Sequence, residues 1–587
     1  MKGFYNRMLM VDLTSRSFTI VTLPDDLLAA WLGGKGLATK LLMDLNPAGV
    51  DPMAPENHLI FATGPFCGTR MWGGSRYGVF TKSPLTGRYC ESYSGGKAPE
   101  ALDAAGFDAI VLRGAADTPT ALTVHPDGCV FHDAGELWGK DSFETEDLAL
   151  ERFVMPELPH ARTGAAVIGP AAEQGVRYAI ISNDYWRCAG RSGAGTVMAA
   201  KKVKAVVFQG DRTREPASPE GVAEFAKNFM LKNRENAGVK AYKAYGTTMM
   251  VAIMNTAGAF PAKYWTQGTC DHWEKISGET YHREHDVTPH ACAKCFMACG
   301  RMATLAKGRH KGLTLEGPEY ETIYAFGGLC MIEEMDEIAY LNDLCDRLGM
   351  DTITAGNLCA FAIEAARRGR IDLDIDYGNA RAIALLIEQI ARREGIGAVL
   401  ADGIVPAAKA WGLEDLAVHV KGMEPAGYDP RVLKGMGLTY AISDRGACHL
   451  RTTFYKPELA KMIPADIVEG KAAMLVDFED RLIIFDTLVL CRFYRDMYDW
   501  QTLSQGMTEM IGANCSEENL RAAARRIRDL VRQFNIREGQ TPDEDLLPKR
   551  LLQEALPSGH SLSSKEMAYM LADYYALRGW NESGAPS

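Results

Sequence analysis

The chain contains no uninterrupted apolar stretch of the ~18 residues a bilayer span requires, so no membrane span is expected. It has no surplus of positive charge either: the net charge of -11 argues against a nucleic acid as partner. Cysteine is too sparse for a disulfide framework, with fourteen in 587 residues. Reduced thiols in a cytoplasmic setting are therefore expected, and any local cluster of cysteines points to metal binding or catalysis. The opening MKGFYNRMLMVDL breaks its apolar run at Arg7 and Asp12, unlike a secretory signal. Repeats of ~20 to 50 residues and low-complexity tracts are missing apart from a short Gly/Ser/Pro tail after Trp580. What is left is a globular chain too long for one core, and ~100 to 200 residues per domain suggests three or four domains.

The first third is rich in strand signals. MLMVDLTSRSFTIVTL alternates and turns at Thr14-Ser15, ALTVHPDGCVFH carries a hairpin signal at Asp127-Gly128, and HLIFATG, YGVFTKS, AIVLRG, YAIIS and KAVVFQG are short β-type runs. GDRTREPASPEG then reads as a linker, with a helix starting at about Pro219. Beyond it the apolar period changes to 3.6, as in ARAIALLIEQIARREG and ENLRAAARRIRDLVRQFNI, so the rest is mainly helical.

The densest chemical signal is HACAKCFMACG, in which Cys292, Cys295 and Cys299 are spaced C-x2-C-x3-C. Structural zinc sites usually draw on two separated cysteine pairs, and no second pair is evident. A 4Fe-4S cluster fits better, with three corners held by one loop and the fourth by a distant cysteine. The order is the reverse of the C-x3-C-x2-C used by enzymes that cleave S-adenosylmethionine. Coincidentally buried thiols are the remaining alternative.

With these cysteines in place, LGGKGLATKLL, PENHLIFATGPFCGTR, SRYGVFTKSPLTG, EGPEYET, DRLGMDT, YDPR, LPKR and YYALRGW make the chain resemble the tungsten-containing aldehyde:ferredoxin oxidoreductase family nearly from end to end. The resemblance implies an α+β fold: a β-rich N-terminal base domain of two sheets related by a pseudo-twofold, then two mainly α-helical domains. Expected boundaries are 1–212, 213–420 and 421–587. It also implies a tungsten, or molybdenum, held by the dithiolenes of two pterins beside a 4Fe-4S cluster, with Mg2+ bridging the pterin phosphates.

Residue by residue, the family's fourth cluster ligand matches Cys491 in Asp486-Thr-Leu-Val-Leu-Cys491, where Val489 replaces a glycine. Valine does not adopt positive φ cheaply, so a local shift of backbone is expected there. Asp486 and the backbone of Leu490 would serve one pterin, and Asp346, Met350 and Asp351 the other, since carboxylates suit the ring N–H donors. Gly95, Arg187, Gly190, Arg191, Arg445 and Arg451 match segments that hold the phosphate ends. Arg76 matches an arginine between cluster and pterin, and Tyr93 stands where the family usually has asparagine near magnesium. Glu321 and His449 match the groups facing the metal, Glu321 as a base toward water or hydrated aldehyde and His449 as a hydrogen-bond partner of the substrate oxygen. Read without the family, Glu321 could equally be a first-turn helix carboxylate, as could Glu316 and Glu319.

The implied reaction is oxidation of a small aldehyde to a carboxylic acid, with electrons leaving singly to ferredoxin or a ferredoxin-like subunit. Benzoyl-CoA ring reduction on the same scaffold and a cluster-bearing electron-transfer module without pterin are the rivals. Tyr340 and Asp343 stand where the family has the Glu-x-x-His pair of an iron-bridged homodimer, so a homodimer or hetero-oligomer without interfacial iron is expected. Lys294, Arg301, Lys307, Arg309 and Lys311 are the expected docking charges for an acidic carrier.

Overall fold

The computed structural model describes residues 1–586. Two six-stranded sheets occupy its N-terminal third. The first orders its strands β2 (Ser17–Thr22), β1 (Arg7–Asp12), β6 (Ala109–Arg113), β3 (Leu59–Ala62), β4 (Tyr77–Lys82), β5 (Tyr89–Ser94). The second runs β8 (Gly128–Asp133), β7 (Thr120–His125), β12 (Val203–Gly210), β9 (Arg162–Val167), β10 (Ile181–Asn183), β11 (Arg187–Ala189). Adding six to each strand number of the first sheet gives the second. The pairings match as well: β1 with β6 and β7 with β12 are parallel, and the remaining neighbours are antiparallel. This is the expected pseudo-twofold, visible in topology alone.

Side-chain alternation explains why the sheets face each other. Leu9, Val11, Leu59, Phe61, Tyr77 and Val79 of the first sheet share one core with Leu122, Val124, Ala166, Val206 and Phe208 of the second. Their sequence neighbours Met8, Ile60, Ala62 and Phe80 point the other way, into a core shared with Leu482, Phe485 and Ile527 of later helices. The strands therefore carry apolar residues on both faces.

The rest of the chain is mainly helical, as expected, except for a three-stranded antiparallel sheet of β13 (Asp286–His290), β14 (Gly300–Thr304) and β15 (Thr314–Glu316). This small sheet lies within the stretch expected to be mainly helical. β13 and β14 clasp the cysteine loop between them, with His290 paired to Gly300. Among the described residues no helix is long and apolar enough to cross a membrane.

Two helix ends meet the base domain in equivalent ways. Helix Met335–Leu348 ends at Gly349 with φ 78°, and the Met350 N–H reaches back to the Cys345 carbonyl at 2.9 Å. Helix Lys471–Leu488 ends at Val489 with φ 55°, and the Leu490 N–H reaches the Phe485 carbonyl at 2.8 Å. Both are left-handed helix stops of the same type, three residues after Asp346 and Asp486 respectively, which sit on the last turn. The expected backbone shift at Val489 does not occur. The valine occupies the glycine conformation, held there by complete burial of its side chain. Gly64, after β3, and Gly169, after β9, lie so close that a Cβ on either would press on the Leu488 or Leu348 carbonyl.

Candidate functional site

One cavity of about 370 Å³ opens between the base domain and these two helix ends. Every expected site residue except Arg451 lines it: Cys292, Cys295, Cys299 and Cys491 at one end, Asp346, Met350, Asp351, Asp486 and Leu490 along the helix stops, and Glu321 and His449 on a further wall. Arg76, Gly95, Arg187, Gly190, Arg191 and Arg445 supply the base and rim. Arg451 lies behind the wall, where its Nη1 bridges Glu91 at 2.5 Å and Asp486 at 2.8 Å. From there Arg451 fixes Asp486, while its Nε and Nη2 have no partner among the described residues.

The thiol end is built from three segments. Cys491 is pinned by its N–H to the Gly73 carbonyl at 2.9 Å, and the Ala293 N–H bonds the Gly96 carbonyl at 3.1 Å. Gly95 is required here because a Cβ would sit 3.0 Å from Cys292 Sγ. Tyr494 OH lies 3.2 Å from Cys295 Sγ. Burial foremost, and then the neighbouring Cys491, push the Cys295 and Cys299 thiols up. Bare thiolates repel one another here, and iron cations between them would reverse that. Among the described residues no three His, Cys, Asp or Glu side chains close on a single ion. A cluster that gives each thiol its own iron needs no such convergence.

Arg76 joins the two ends. Its Nη1 points at Cys491 Sγ at 3.8 Å while Nη2 donates to the Tyr93 carbonyl at 3.1 Å. The Tyr93 hydroxyl donates to Glu91 at 2.7 Å, so this side chain is already engaged where an asparagine would offer magnesium an amide oxygen. Glu91 in turn meets Lys35 at 3.0 Å. Against the cost of burial, Arg451, Lys35 and Arg445 hold its carboxyl far below the usual range.

The two helix-stop aspartates differ. Asp486 is gripped by Arg451 and, at 2.5 Å, by Arg492, a cavity-lining residue that the sequence reading missed although it directly follows Cys491. Among the described residues the Asp346 side chain accepts only from Asn342, at 2.8 Å, and burial, then Asp343 and Glu316, push its carboxyl well up. Asp351 caps helix Thr352–Arg367 and takes Arg191 Nε at 3.3 Å. Arg191 also donates to the carbonyls of Ala447 and Glu424 at 3.0 and 2.6 Å, and Arg187 pairs with Glu316. Glu316 ends β15 as that partner, which removes it from the helix-dipole alternatives. Buried polar atoms left without partners include Arg445 Nε, Arg451 Nε and Nη2, Arg492 Nη1, Glu321 Oε1 and His449 Nδ1. Donors of this kind suit anionic phosphate and ring-acceptor groups, so the residues present fit a pterin.

Glu321 lies in the first turn of helix Tyr320–Ile323, which widens into a π turn over Tyr324–Leu329, a distortion frequent at functional sites. The Gly427 N–H donates to its Oε2 at 3.0 Å, and Tyr320 OH clamps the Gly427 carbonyl. Burial drives its carboxyl up to about 8, against the pull of that N–H and of Arg191. His449 Nε2 lies 3.5 Å from Glu321 Oε1. Burial, then Arg191, Arg445, Arg492 and Arg451, depress the imidazole well below 6.5, so it is neutral at pH 7. Beside it, although burial opposes the change, Arg445, Arg451 and Arg191 bring the Cys448 thiol down to about 6, a group the sequence reading did not single out.

Of the expected docking cations, Arg301 is buried, donating to the Lys243 and Ala244 carbonyls at 2.8 Å. Lys307 and Arg309 are paired with Glu284 and Glu337 at 2.7 and 2.6 Å. The expected patch is therefore largely neutralised. Tyr340 stacks on His310 at 4.0 Å, and Asp343 is tied to Arg347 at 2.8 Å.

A β-base with two equivalent helix stops, four thiols and a carboxylate–imidazole pair on one buried cavity defines a cofactor-dependent oxidoreductase. The chain matches the family model "Aldehyde ferredoxin oxidoreductase, N-terminal domain" over residues 8–210 and "Aldehyde ferredoxin oxidoreductase, domains 2 & 3" over 224–587, and it belongs to that family. It is 36% identical over 611 residues to the tungsten-containing aldehyde ferredoxin oxidoreductase of Pyrococcus furiosus, spanning 100% of this chain and 97% of that protein. A second relative, the aliphatic sulfonate oxidoreductase WOR-like subunit of the same organism, is 27% identical, with 100% and 96% covered. Among solved structures, the active-site complex of benzoyl coenzyme A reductase with 1,5-dienoyl-CoA contains a chain 25% identical, at TM-score 0.86, covering 100% of this chain and 96% of that one.

Proposed function

We propose that this enzyme oxidises small aldehydes to carboxylic acids and passes the electrons to ferredoxin or a ferredoxin-like subunit. The observation that carries the reading is the Glu321–His449 pair, 3.5 Å apart on the wall of the cavity that also holds both helix-stop aspartates and all four thiols. A tungsten (or molybdenum) bis-pterin fits between the helix stops, with Asp486 and Leu490 on one pterin, Asp346, Met350 and Asp351 on the other, and Gly95, Arg187, Gly190, Arg191 and Arg445 toward the phosphates. A 4Fe-4S cluster fits on Cys292, Cys295, Cys299 and Cys491.

When bound, these groups supply conversion between a two-electron oxidation and single-electron exit. The net reaction is aldehyde plus water giving carboxylic acid, two protons and two electrons. Glu321 takes a proton from water or the hydrated aldehyde, and its raised pKa makes it a strong base once ionised. Neutral His449 hydrogen-bonds the substrate oxygen and orients the carbonyl carbon. Arg76, touching both the Cys491 thiol and the Tyr93 carbonyl, is the polar link between the two ends. The buried ring of Tyr428, 5.4 Å from that of His449, helps exclude water from the pair.

The reading includes the domain division 1–212, 213–420 and 421–587, a cytoplasmic location, and a homodimer or hetero-oligomer without interfacial iron. Magnesium has no place in it at the Tyr93 side chain. A second reading, benzoyl-CoA ring reduction, is favoured by the likeness to the benzoyl coenzyme A reductase chain. Elemental analysis for W, Mo and Fe, followed by an aldehyde screen with a viologen dye and a parallel benzoyl-CoA assay, separates them. Dye reduction by aldehydes alone supports the first reading. Turnover of benzoyl-CoA without aldehyde oxidation would replace it with the second.

A further inference from the structure

Electrons produced in the buried cavity need an exit, and at the thiol end Cys292, Cys295, Cys299 and Cys491 are only partly buried. Three half-buried aromatic rings surround that loop. Trp72 meets Phe296 edge-on at 5.0 Å, and Phe493 stacks on Tyr242 at 4.4 Å.

Four exposed cations, Arg70, Lys97, Lys227 and Lys243, belong to the segments that contact this loop and its rings. Each is tied to the cysteine loop through its backbone neighbourhood. Lys294 of the loop donates to the Gly68 carbonyl at 3.3 Å, which brings the turn bearing Arg70 alongside. Lys97 follows Gly96, whose carbonyl takes the Ala293 N–H at 3.1 Å. Lys227, on helix Pro219–Asn233, follows Ala226, whose carbonyl accepts Trp72 Nε1 at 2.7 Å. Lys243, on helix Ala237–Tyr245, gives its carbonyl to Arg301, two residues past Cys299. Among the described residues none of the four has a carboxylate partner within ion-pair distance, in contrast to Lys307 and Arg309. Of the nearby acids, Glu100 is bound by Lys294 at 2.6 Å and Asp184 caps the backbone N–H groups of Lys97 and Ala98.

We propose that this surface, three aromatic rings flanked by unpaired cations, is where an acidic iron–sulfur electron carrier docks. The identity of the carrier rests on the functional reading above, and the place of docking does not. The net charge of -11 makes the chain as a whole repel an acidic protein, so a local group of unpaired cations orients the encounter. The small aromatic centre suits a complex that must also dissociate quickly. Each encounter moves one electron from the enzyme to the oxidised carrier, and two carriers are reduced per aldehyde oxidised.

The test uses dithionite-reduced holoenzyme, freed of excess reductant and mixed with an oxidised acidic ferredoxin in a stopped-flow spectrometer. Aldehyde is absent, so failure of the substrate reading leaves the result intact. Arg70→Glu with Lys97→Glu should lower the bimolecular rate constant about tenfold or more, and added salt should do the same to the unaltered enzyme. Arg70→Gln with Lys97→Gln, a milder change, should give an intermediate fall. Lys307→Glu with Arg309→Glu should leave the rate constant unchanged, and reduction of a viologen dye should be equal in all variants. Equal ferredoxin rates in every variant, or rates insensitive to salt, would overturn the proposal. So would a dimer of this chain dispersed by the same Arg70 and Lys97 reversals, since a second copy would then be the occupant.

Discussion

Acid should silence Glu321 well above the pH at which an ordinary carboxylate protonates. The side chain is only 16% exposed. Burial pushes its pKa from 4.5 to about 8, with the Gly427 N–H and Arg191 pulling the other way. At ~1.4 kcal/mol per unit this is roughly 5 kcal/mol in favour of the neutral acid. The base is the ionised form, which is present above the folded-state pKa and lost as pH falls through it. At pH 7 about one site in ten is then ionised. With dye as acceptor and saturating aldehyde, kcat should rise close to tenfold per unit at about pH 6 to 7 and level off above about 8. His449, neutral throughout, adds no second limb. Glu321→Gln should remove the limb and lower kcat by ~10²-fold or more while W and Fe content are unchanged. A flat profile from about pH 6 to 9, a limb in the ordinary carboxylate range near ~4, or a Gln variant of unchanged kcat would refute the assignment and return Glu321 to a helix-dipole role.

Cys491→Ser should damage or lose the cluster and stop electron transfer to external acceptors, and a normal 4Fe-4S EPR signal with about four irons per chain would overturn the ligand assignment. At Val489 the left-handed backbone makes glycine the better small residue: Val489→Gly should be more stable than Val489→Ala by about 1 kcal/mol in urea unfolding of the apoprotein, and equal stability would count against that conformation. Gly169→Ala would drive a Cβ into the Leu348 carbonyl, so a loss of ~1 to 3 kcal/mol with reduced pterin content is expected. Unchanged thermal stability and cofactor content would show that the backbone there yields freely.

Short-range chemistry was legible in the sequence, because spacing along the chain already constrains it. C-x2-C-x3-C sets three thiols on one loop whatever packs around them, and alternation in HLIFATG or ALTVHPDGCVFH separates two faces of a strand before any partner is known. The family resemblance extended this to the distant Cys491, to both aspartates and to the Glu321–His449 pair, and the fold brings them to one cavity.

What a side chain faces depended on segments hundreds of residues away, and there the sequence reading failed. Arg301 read as an available docking cation, yet it is enclosed by carbonyls of a neighbouring helix. Val489 read as a disturbance because its intrinsic cost is local, whereas the burial that holds it in the left-handed region comes from tertiary packing. The β13–β14–β15 sheet around the cysteine loop is short and polar, and its pairing overrode a weak local pattern. Sequence by itself determined which groups this protein carries and how neighbours are spaced. Only the tertiary structure decided which charges are neutralised, which remain free at the surface, and which carboxylate is dry enough to stay protonated, because desolvation and Coulomb pairing act through space.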